Sequence, residues 1–184
     1  MTRSGCIGMS GASAQGALTP VERNVARASR APASDAKGSE DPHAGAVNLA
    51  LHARVTSNNH IYEFTADKAV DGEIRTYWEG AAKSYPNDIT LDLGTAHAIA
   101  ALRLKLSPQA VWQARTQAFT VLTSTDGESW TPLVPSAGYL LDPAENQNTV
   151  TVPISITTRY LRLSFTSNDG ATGAQIAEWE VFEK

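Results

Sequence analysis

The sequence predicts an all-β fold, a sandwich of antiparallel sheets, and two observations support this prediction. The first is a period of two in hydrophobicity, which places apolar side chains on one face of each segment. The second is the turn chemistry of 125–127 and 167–170, which separates short strands at the spacing typical of a sandwich. The alternating segments are 89–93, 102–106, 119–121, 150–152, 160–165 and 176–182.

Residues 1–47 differ in composition from the rest of the chain. They contain no aromatic residue, because the 4 Phe, 4 Trp and 5 Tyr all lie in 48–184. A segment without large apolar side chains cannot offset the backbone entropy lost on folding, roughly 1–2 kcal/mol per residue. We therefore expect a disordered or weakly helical leader over 1–47 and one domain over 48–184. The helical signal in the leader is a capping box at Thr19–Glu22, which would begin a short helix to Arg30.

The overall composition excludes several partners. The 184 residues include 15 Lys and Arg and 19 Asp and Glu, for a net charge of -4. This balance lacks the basic surface that nucleic acid or an anionic membrane requires, so we expect no nucleic acid and no membrane insertion. No apolar run approaches the roughly 20 residues of a membrane span, which predicts a soluble protein. The single cysteine, Cys6, excludes an intrachain disulfide and a cysteine-based zinc site.

A series of short motifs follows through 48–184, and their order and spacing carry a resemblance. The motifs are Asn48–Leu51, Ala69–Gly72, Thr76–Trp78, Ile89–Gly94, Ser124–Trp130, Arg159–Leu163 and Glu178–Val181. Over about residues 47–184 the chain resembles the discoidin, or coagulation-factor C-type, fold. It is similar in particular to the family-32 carbohydrate-binding modules of secreted bacterial glycanases. The resemblance implies a galactose-binding-domain-like jelly-roll sandwich of eight strands, with ligand loops at one end.

The resemblance also implies a function. We expect a non-catalytic module that binds a polysaccharide or oligosaccharide and targets an attached or partner glycanase to it. Such modules are secreted, so the expected location is extracellular, although Met1–Leu18 lacks the unbroken apolar run of a secretory signal. A cell-surface lectin or adhesin that binds glycoconjugates or protein remains the alternative, because fold alone does not fix the ligand.

The segment around Asp71 has the residue types of a metal site or of a simple turn. Asp71, Gly72 and Thr76 place a carboxylate, a glycine turn and a hydroxyl close together, and Glu178 could add a second carboxylate. Calcium takes about six to eight oxygen ligands, whereas in a turn Asp71 would only accept backbone amides. The resemblance implies one structural calcium. Its ligands would be the carbonyls of Lys68, Glu73, Thr76 and Ala177, the Asp71 and Glu178 carboxylates and the Thr76 hydroxyl.

Four loops carry the aromatic and polar side chains that bind saccharides. Trp112 lies outside every alternating segment and is the predicted platform, although it could instead fold onto the edge of the sandwich. The other three tryptophans lie in or beside strand patterns and are expected in the core: Trp78, Trp130 and Trp179. The loops are 58–63, 79–85, 108–115 and 167–174.

Six further loop residues are candidate ligand contacts. Arg115 could donate a bidentate pair to vicinal hydroxyls or form a salt bridge with a loop acid. Galactose-binding members of the family carry a histidine where this chain has Glu79, which argues against galactose. The run 112–117 is similar to modules of glucan-degrading enzymes, so the resemblance favours a glucan. His60, Tyr62 and Glu63 could equally be solvated loop residues, and Asn168 is the last candidate.

Catalysis has little support in the sequence. Glu178 and Glu180 would share a strand face about 6.5–7 Å apart, a spacing that could mimic a glycosidase pair. However, the resemblance assigns Glu178 to the metal. The four histidines lie in no nucleophile-elbow or zinc-protease motif, and they are His43, His52, His60 and His97.

Overall fold

The computed structural model describes residues 41–184, and these residues form β-strands joined by loops and two short 3₁₀ helices. The all-β prediction is therefore confirmed. The helices are Ala66–Ala69 and Ala110–Trp112. The eight strands of this part of the chain are β1 (Arg54–Ser57), β2 (Trp78–Glu79), β3 (Asn87–Lys105), β4 (Arg115–Ser124), β5 (Thr131–Leu141), β6 (Thr149–Asn168), β7 (Gln175–Ile176) and β8 (Glu178–Glu183).

Two strands are much longer than the alternation predicts. Strand β3 has 19 residues and β6 has 20, because each joins two of the predicted short strands. The two pair along their length, with a register shift between Asp92 and His97. Gly94 lies at this shift with φ +81°, a conformation that glycine adopts without strain. The period-two patterns therefore identified the straight halves and missed the bend that joins them.

The bend distributes the strands over two layers. Strands β1 and β4 pair with the halves of β3 and β6 on one side of the shift, and β5 extends this layer beyond β4. Strand β8 pairs with the other half of β3, while β2 and β7 form a separate two-stranded sheet. All pairings are antiparallel, and apolar side chains from both layers belong to one hydrophobic core. This is the predicted sandwich.

The tryptophan assignments are correct for two of the three predicted core residues. Trp78 and Trp179 are fully buried. Trp130 is instead half-buried beside the turn that precedes β5, and the Arg162 guanidinium lies 3.9 Å from its ring centroid. Its position at a turn, before the strand begins, explains why the neighbouring pattern did not apply to it.

The predicted helix Thr19–Arg30 and most of the 1–47 leader lie outside the described residues. The last part of that leader, 41–47, contacts β8 and β3. The Asp41 carboxylate accepts a hydrogen bond from Arg103 Nη1 at 2.9 Å, and the His43 ring stacks on Phe182 with centroids 4.4 Å apart. A segment without aromatic residues thus contacts the domain through charge and through an imidazole. In the part of the chain that the structure describes, no helix is long and apolar enough to cross a membrane.

Candidate functional site

The four loops singled out by the sequence meet at one end of the sandwich. Backbone hydrogen bonds join two of them directly, since Gly80 N donates to Ala174 O at 2.9 Å and Lys83 N donates to Thr172 O at 2.8 Å. Side chains join the others, as described below. We call this region the loop cluster, and it comprises 58–64, 79–86, 108–116 and 167–174.

Two asparagines tie three of these loops together from the inside. Asn59 Oδ1 accepts the backbone N–H of Ala81 at 2.8 Å and the Asn87 amide at 3.1 Å. Asn87 is fully buried, and its Oδ1 accepts the backbone N–H of Ala174 at 2.9 Å. Buried amides of this kind fix loop positions because breaking one bond leaves an unpaired polar group in the interior. This role of Asn59 and Asn87 was not predicted from the sequence.

Close packing between two glycines holds the same loops in contact. A Cβ added at Gly173 would lie 2.0 Å from the carbonyl oxygen of Gly80, which no side chain can approach so closely. A Cβ at Gly80 would lie 2.5 Å from Cγ of Asn87. The backbones of 79–86 and 167–174 can therefore touch only because both positions are glycine.

The loop 108–116 is fixed to 167–174 by paired hydrogen bonds. Thr116 N donates to Asp169 Oδ1 at 2.6 Å, and Asp169 N donates back to Thr116 O at 3.1 Å. The buried Gln117 side chain exchanges two hydrogen bonds with the backbone of Gln175, both at 2.8 Å. The Asn168 amide donates to Gln117 Oε1 at 3.3 Å, so this predicted ligand contact supports the loop internally.

Three aromatic side chains form a continuous row along the cluster. Phe64 stacks on Tyr77 with ring centroids 4.5 Å apart, and Trp112 meets Tyr77 edge-on at 4.8 Å. We call Phe64, Tyr77 and Trp112 the aromatic row. All three are half-buried, so Trp112 is a packed member of a surface and not a free-standing platform. Sequence reasoning missed Tyr77, although alternation about the buried Trp78 places it on the opposite side of the strand.

The Arg115 side chain lies beneath this row and is bound within the domain. Its guanidinium lies 5.2 Å from the Trp112 ring centroid, Nη1 donates to Gln175 Oε1 at 2.5 Å and Nε donates to the carbonyl of Gln113 at 3.2 Å. The residue is 7% exposed, and burial lowers the pKa of its guanidinium. Gln175 in turn donates to Glu79 Oε2 at 3.0 Å. The contact of Arg115 with a sugar stays a prediction, whereas the alternative, a salt bridge with a loop acid, is not formed among the described residues.

The rim of the cluster contains the remaining candidates. His60, Tyr62 and Glu63 are all exposed, and Tyr62 is 84% exposed with φ +46°. Their loop is fixed at its base, where Ile61 N donates to the carbonyl of Glu79 at 3.0 Å. A rigid base under exposed side chains is an arrangement that can contact a ligand without first ordering the loop.

The segment around Asp71 forms a turn, one of the two interpretations given for its sequence. Asp71 Oδ1 accepts the backbone N–H of Glu73 at 2.9 Å, and Oδ2 accepts the Thr76 hydroxyl at 2.7 Å. Lys68 Nζ lies 3.9 Å from Asp71 Oδ2. We call Lys68–Thr76, together with Ala177 and Glu178, the acidic loop. Within the acidic loop, the Asp71 carboxylate therefore accepts hydrogen bonds both from the backbone of the turn and from the Thr76 hydroxyl.

Glu178 provides the buried carboxylate of the acidic loop. It is 5% exposed, and within residues 41–184 its buried Oε1 has no hydrogen-bond partner. Burial, together with the charge of Asp71, raises the pKa of Glu178 to about 8. No three His, Cys, Asp or Glu side chains of the described residues converge, so a metal would also need carbonyl and hydroxyl oxygens. Calcium accepts that mixture of ligands.

The other glutamate of β8 has a different environment. Glu178 and Glu180 both line a cleft of about 440 Å³. Glu180 accepts a hydrogen bond from Lys105 Nζ at 2.6 Å and pairs with Arg103 at 3.4 Å. Since one carboxylate is bound by two basic side chains and the other is buried beside Asp71, the two do not form a glycosidase-like pair.

Residues 41–184 form a β-sandwich whose loops gather at one end and are held together by side-chain amides. The family model described as "F5/8 type C domain" matches residues 52–179. The chain belongs to this family, as its motifs predicted. A comparison with curated protein sequences finds no match.

Solved structures share this fold at low identity. Chitosan-binding module 1 of a chitosanase/glucanase from Paenibacillus sp. IK-5 is 23% identical with a TM-score of 0.60, over 74% of this chain and 98% of that one. The CBM32 of AlyQ, in complex with 4,5-unsaturated mannuronic acid, is 23% identical with a TM-score of 0.59, over 71% and 95%. A pectin-binding carbohydrate-binding module is 21% identical with a TM-score of 0.59, over 74% and 91%. All three are named as binding modules, in agreement with the prediction of a non-catalytic domain.

Proposed function

We propose that residues 48–184 form a non-catalytic module that binds a polysaccharide or oligosaccharide of glucan type at the loop cluster. The observation that carries this proposal is the aromatic row beside an exposed polar rim, on loops whose bases are held by buried amides. Half-buried aromatic faces pack against the C–H surfaces of sugars, and fixed polar groups bind their hydroxyls. The family-32 modules with the same fold give the proposal its ligand class.

The proposal also covers where the module acts and which enzyme it accompanies. The AlyQ structure combines a CBM32 with an alginate lyase domain, and this chain covers 31% of that longer one. We infer that the present module likewise acts outside the cell and brings an attached or partner glycanase to its substrate. The acidic pI of about 5.5 gives no support to an anionic surface as partner.

We also propose that the acidic loop holds one calcium ion with a structural role. The buried Oε1 of Glu178, which has no partner among the described residues, fits a cation better than it fits a metal-free interior. The ion would be held by the Asp71 and Glu178 carboxylates, the Thr76 hydroxyl and nearby carbonyls of 68, 73, 76 and 177. When bound, calcium supplies positive charge that compensates the two acids and fixes the loop.

Two substitutions test the carbohydrate site. Trp112→Ala should weaken binding to an insoluble glucan by about 2 kcal/mol, since it removes part of the aromatic row. Because Trp112 is half-buried, its loss should also reduce the free energy of unfolding, by about 1 kcal/mol. Tyr62→Ala, at an 84% exposed position, should weaken binding with a stability change within about 0.5 kcal/mol.

The matched control is Trp179→Ala, which removes a fully buried tryptophan and should cost about 3–5 kcal/mol of folding stability. Binding to insoluble glucan by pull-down, with urea unfolding of each variant, separates the two effects. Wild-type affinity in both Trp112→Ala and Tyr62→Ala would show that the loop cluster is not the binding site.

A further inference from the structure

We propose that Gln175 is a positioning residue of the loop cluster, because its side-chain amide links two groups on which saccharide binding would depend. On one side the amide holds the Arg115 guanidinium beneath Trp112, and on the other it holds the Glu79 carboxylate. This inference rests on the proposed function, since it names a residue that acts on the same site. Gln175 is 7% exposed, so its amide acts through its protein neighbours and not by contact with the ligand.

The backbone of Gln175 is fixed on two sides. In the two-stranded sheet of β2 and β7, Gln175 lies directly opposite Glu79, and Ile176 lies opposite Trp78. Gln117 holds the other side through its two hydrogen bonds with the Gln175 backbone, both at 2.8 Å. Side chains directly opposite each other in an antiparallel pair lie on the same face of the sheet. The register therefore places the Gln175 amide beside the Glu79 carboxylate.

The chemistry of its neighbours fixes the orientation of the Gln175 amide. Oε1 accepts a hydrogen bond from Arg115 Nη1 at 2.5 Å, and Nε2 donates to Glu79 Oε2 at 3.0 Å. A guanidinium can only donate and a carboxylate ion can only accept, so turning the amide by half a rotation would lose both contacts. A neutral amide suits both neighbours, because a carboxylate at this position would repel Glu79 and an ammonium would repel Arg115.

The Arg115 side chain connects this amide to the aromatic row. It is 7% exposed, and its guanidinium lies 5.2 Å from the Trp112 ring centroid. A Cβ added at Gly170 would lie 2.6 Å from Cβ of Arg115, so the loop 167–174 closes over the stem of this side chain. Loss of Gln175 Oε1 would remove the partner of Nη1. Because an unpaired buried donor is costly, the guanidinium would then move from its place beneath Trp112.

The same amide holds Glu79 at the edge of the aromatic row. Alternation about the buried Trp78 places the half-buried Glu79 on the same side of the strand as Tyr77, the central member of the row. Gln175 binds Oε2 of Glu79, whereas Oε1 accepts no hydrogen bond from residues 41–184. This second oxygen can accept a hydrogen bond from a hydroxyl of a sugar packed on the row. Gln175 therefore fixes the acceptor relative to the aromatic row.

The test exchanges the hydrogen-bonding groups at positions 175 and 79. In Gln175→Glu the new carboxylate still accepts from Arg115 but repels Glu79, so the affinity for insoluble glucan should fall about tenfold. Adding Glu79→Gln to the same chain restores a donor and an acceptor between the two positions. The double variant should therefore bind within about threefold of the wild type. Gln175→Leu, which offers Arg115 no partner, should weaken binding at least as much as Gln175→Glu.

Thr158→Val is the matched control for a loss of stability alone. Thr158 is 1% exposed and pairs with His97 beside the bend of β3, and its hydroxyl donates to the carbonyl of Ser124 at 2.7 Å. This variant should lower the midpoint of urea unfolding and retain the affinity for glucan. Depletion isotherms on insoluble glucan, with urea unfolding of every variant, provide the measurements. Because affinity is measured on folded protein, its recovery in the double variant reports the positions of the groups and not stability.

Every other outcome counts against the inference or against the proposed function. Wild-type affinity in both Gln175→Glu and Gln175→Leu would overturn the inference, and so would an equal loss of affinity in Thr158→Val. A double variant that binds as weakly as Gln175→Glu would also overturn it, since Gln175 would not then act through Glu79. All three results leave the proposed function standing. Failure of the wild-type protein to bind glucan or any other polysaccharide would instead remove the proposed function, and the inference with it.

Discussion

The loop cluster and the acidic loop differ in how their buried polar groups are satisfied. In the loop cluster, the side chains of Asn59, Asn87 and Gln117 bind backbone groups of neighbouring loops, and the buried Tyr85 hydroxyl, a neutral group, has no partner in the described residues. In the acidic loop, Glu178 is as deeply buried but keeps an oxygen without a partner in the described residues. The first region should therefore depend on exact packing of the chain, and the second on something added to it.

The largest expected effect is that of calcium on the acidic loop. An ion that binds only the folded protein at a hundredfold excess over its Kd stabilises it by about 2.7 kcal/mol. Calcium added after chelation should raise the Tm by several degrees, and Glu178→Gln should abolish the rise. The affinity for saccharide, measured well below the Tm, should be the same with and without calcium, because the loop cluster and the acidic loop share no residue.

Thermal unfolding with and without chelator provides the measurement, with Glu145→Gln, an exposed acid, as control. An equal Tm in both conditions would contradict a calcium site. A calcium response that survives Glu178→Gln would place the ion elsewhere. Loss of saccharide binding after removal of calcium would contradict the expectation that the loop cluster is independent of the acidic loop.

The second largest expected effect is a loss of folding stability caused by a substitution in the loop cluster. Gly173→Ala should reduce the free energy of unfolding by about 1–3 kcal/mol, the usual cost of overpacking, since the new methyl group would meet the carbonyl of Gly80. It should also weaken saccharide binding, because the contact holds together two loops of the proposed binding site. The calcium-induced rise in Tm should stay unchanged.

Gly94→Ala provides a contrast for this prediction, because a Cβ there meets no atom within 4 Å but the residue has φ +81°. Its cost is conformational and lies at the bend of β3, so saccharide affinity should be retained. Wild-type affinity and stability in Gly173→Ala would show that the two loops can separate without consequence.

The strands and the acidic loop were more predictable from the sequence than the loop cluster. Alternation over 89–93 and 160–165 identified the straight strands, because a period of two directly reports a one-sided sheet. The bend near Gly94 and the half-buried position of Trp130 escaped it, since a bend and a turn leave no periodic signal. The motif around Asp71 is local, and its turn could be predicted from residues 71–76.

The loop cluster required contacts between distant parts of the chain. Gln117 and Gln175 are 58 residues apart in sequence, and nothing in either neighbourhood indicates that they pair. Arg115 has the residue type of a sugar-binding group, but its burial follows from Gln175 and Trp112, which only the fold places beside it. The sequence could thus indicate which loops lie together and could not predict the contacts of each side chain.

The smallest expected effect tests a carboxylate whose partners are complete, in contrast to Glu178. Asp92 receives two hydrogen bonds from Arg159, Nε to Oδ1 at 2.7 Å and Nη2 to Oδ2 at 2.9 Å, and one from the backbone N–H of Gly94 at 2.8 Å. The hydrogen bonds from Arg159 hold the pKa of Asp92 below its ordinary value.

A carboxyl whose pKa is lower in the folded than in the unfolded state stabilises the fold above the unfolded value, about 3.9, and loses this contribution as pH falls through the folded value. Urea unfolding between pH 6 and pH 2 should therefore show a smaller acid-induced loss of stability in Asp92→Asn than in the wild type. The variant should be less stable near neutrality, and the difference should narrow below about pH 4. Glu145→Gln, which removes one exposed charge, should follow the wild-type profile, and calcium should shift all three proteins equally. If Asp92→Asn and the wild type lose stability in parallel as the pH falls, the contacts of Asp92 do not stabilise the fold, and a complete set of hydrogen bonds would not distinguish it from Glu178.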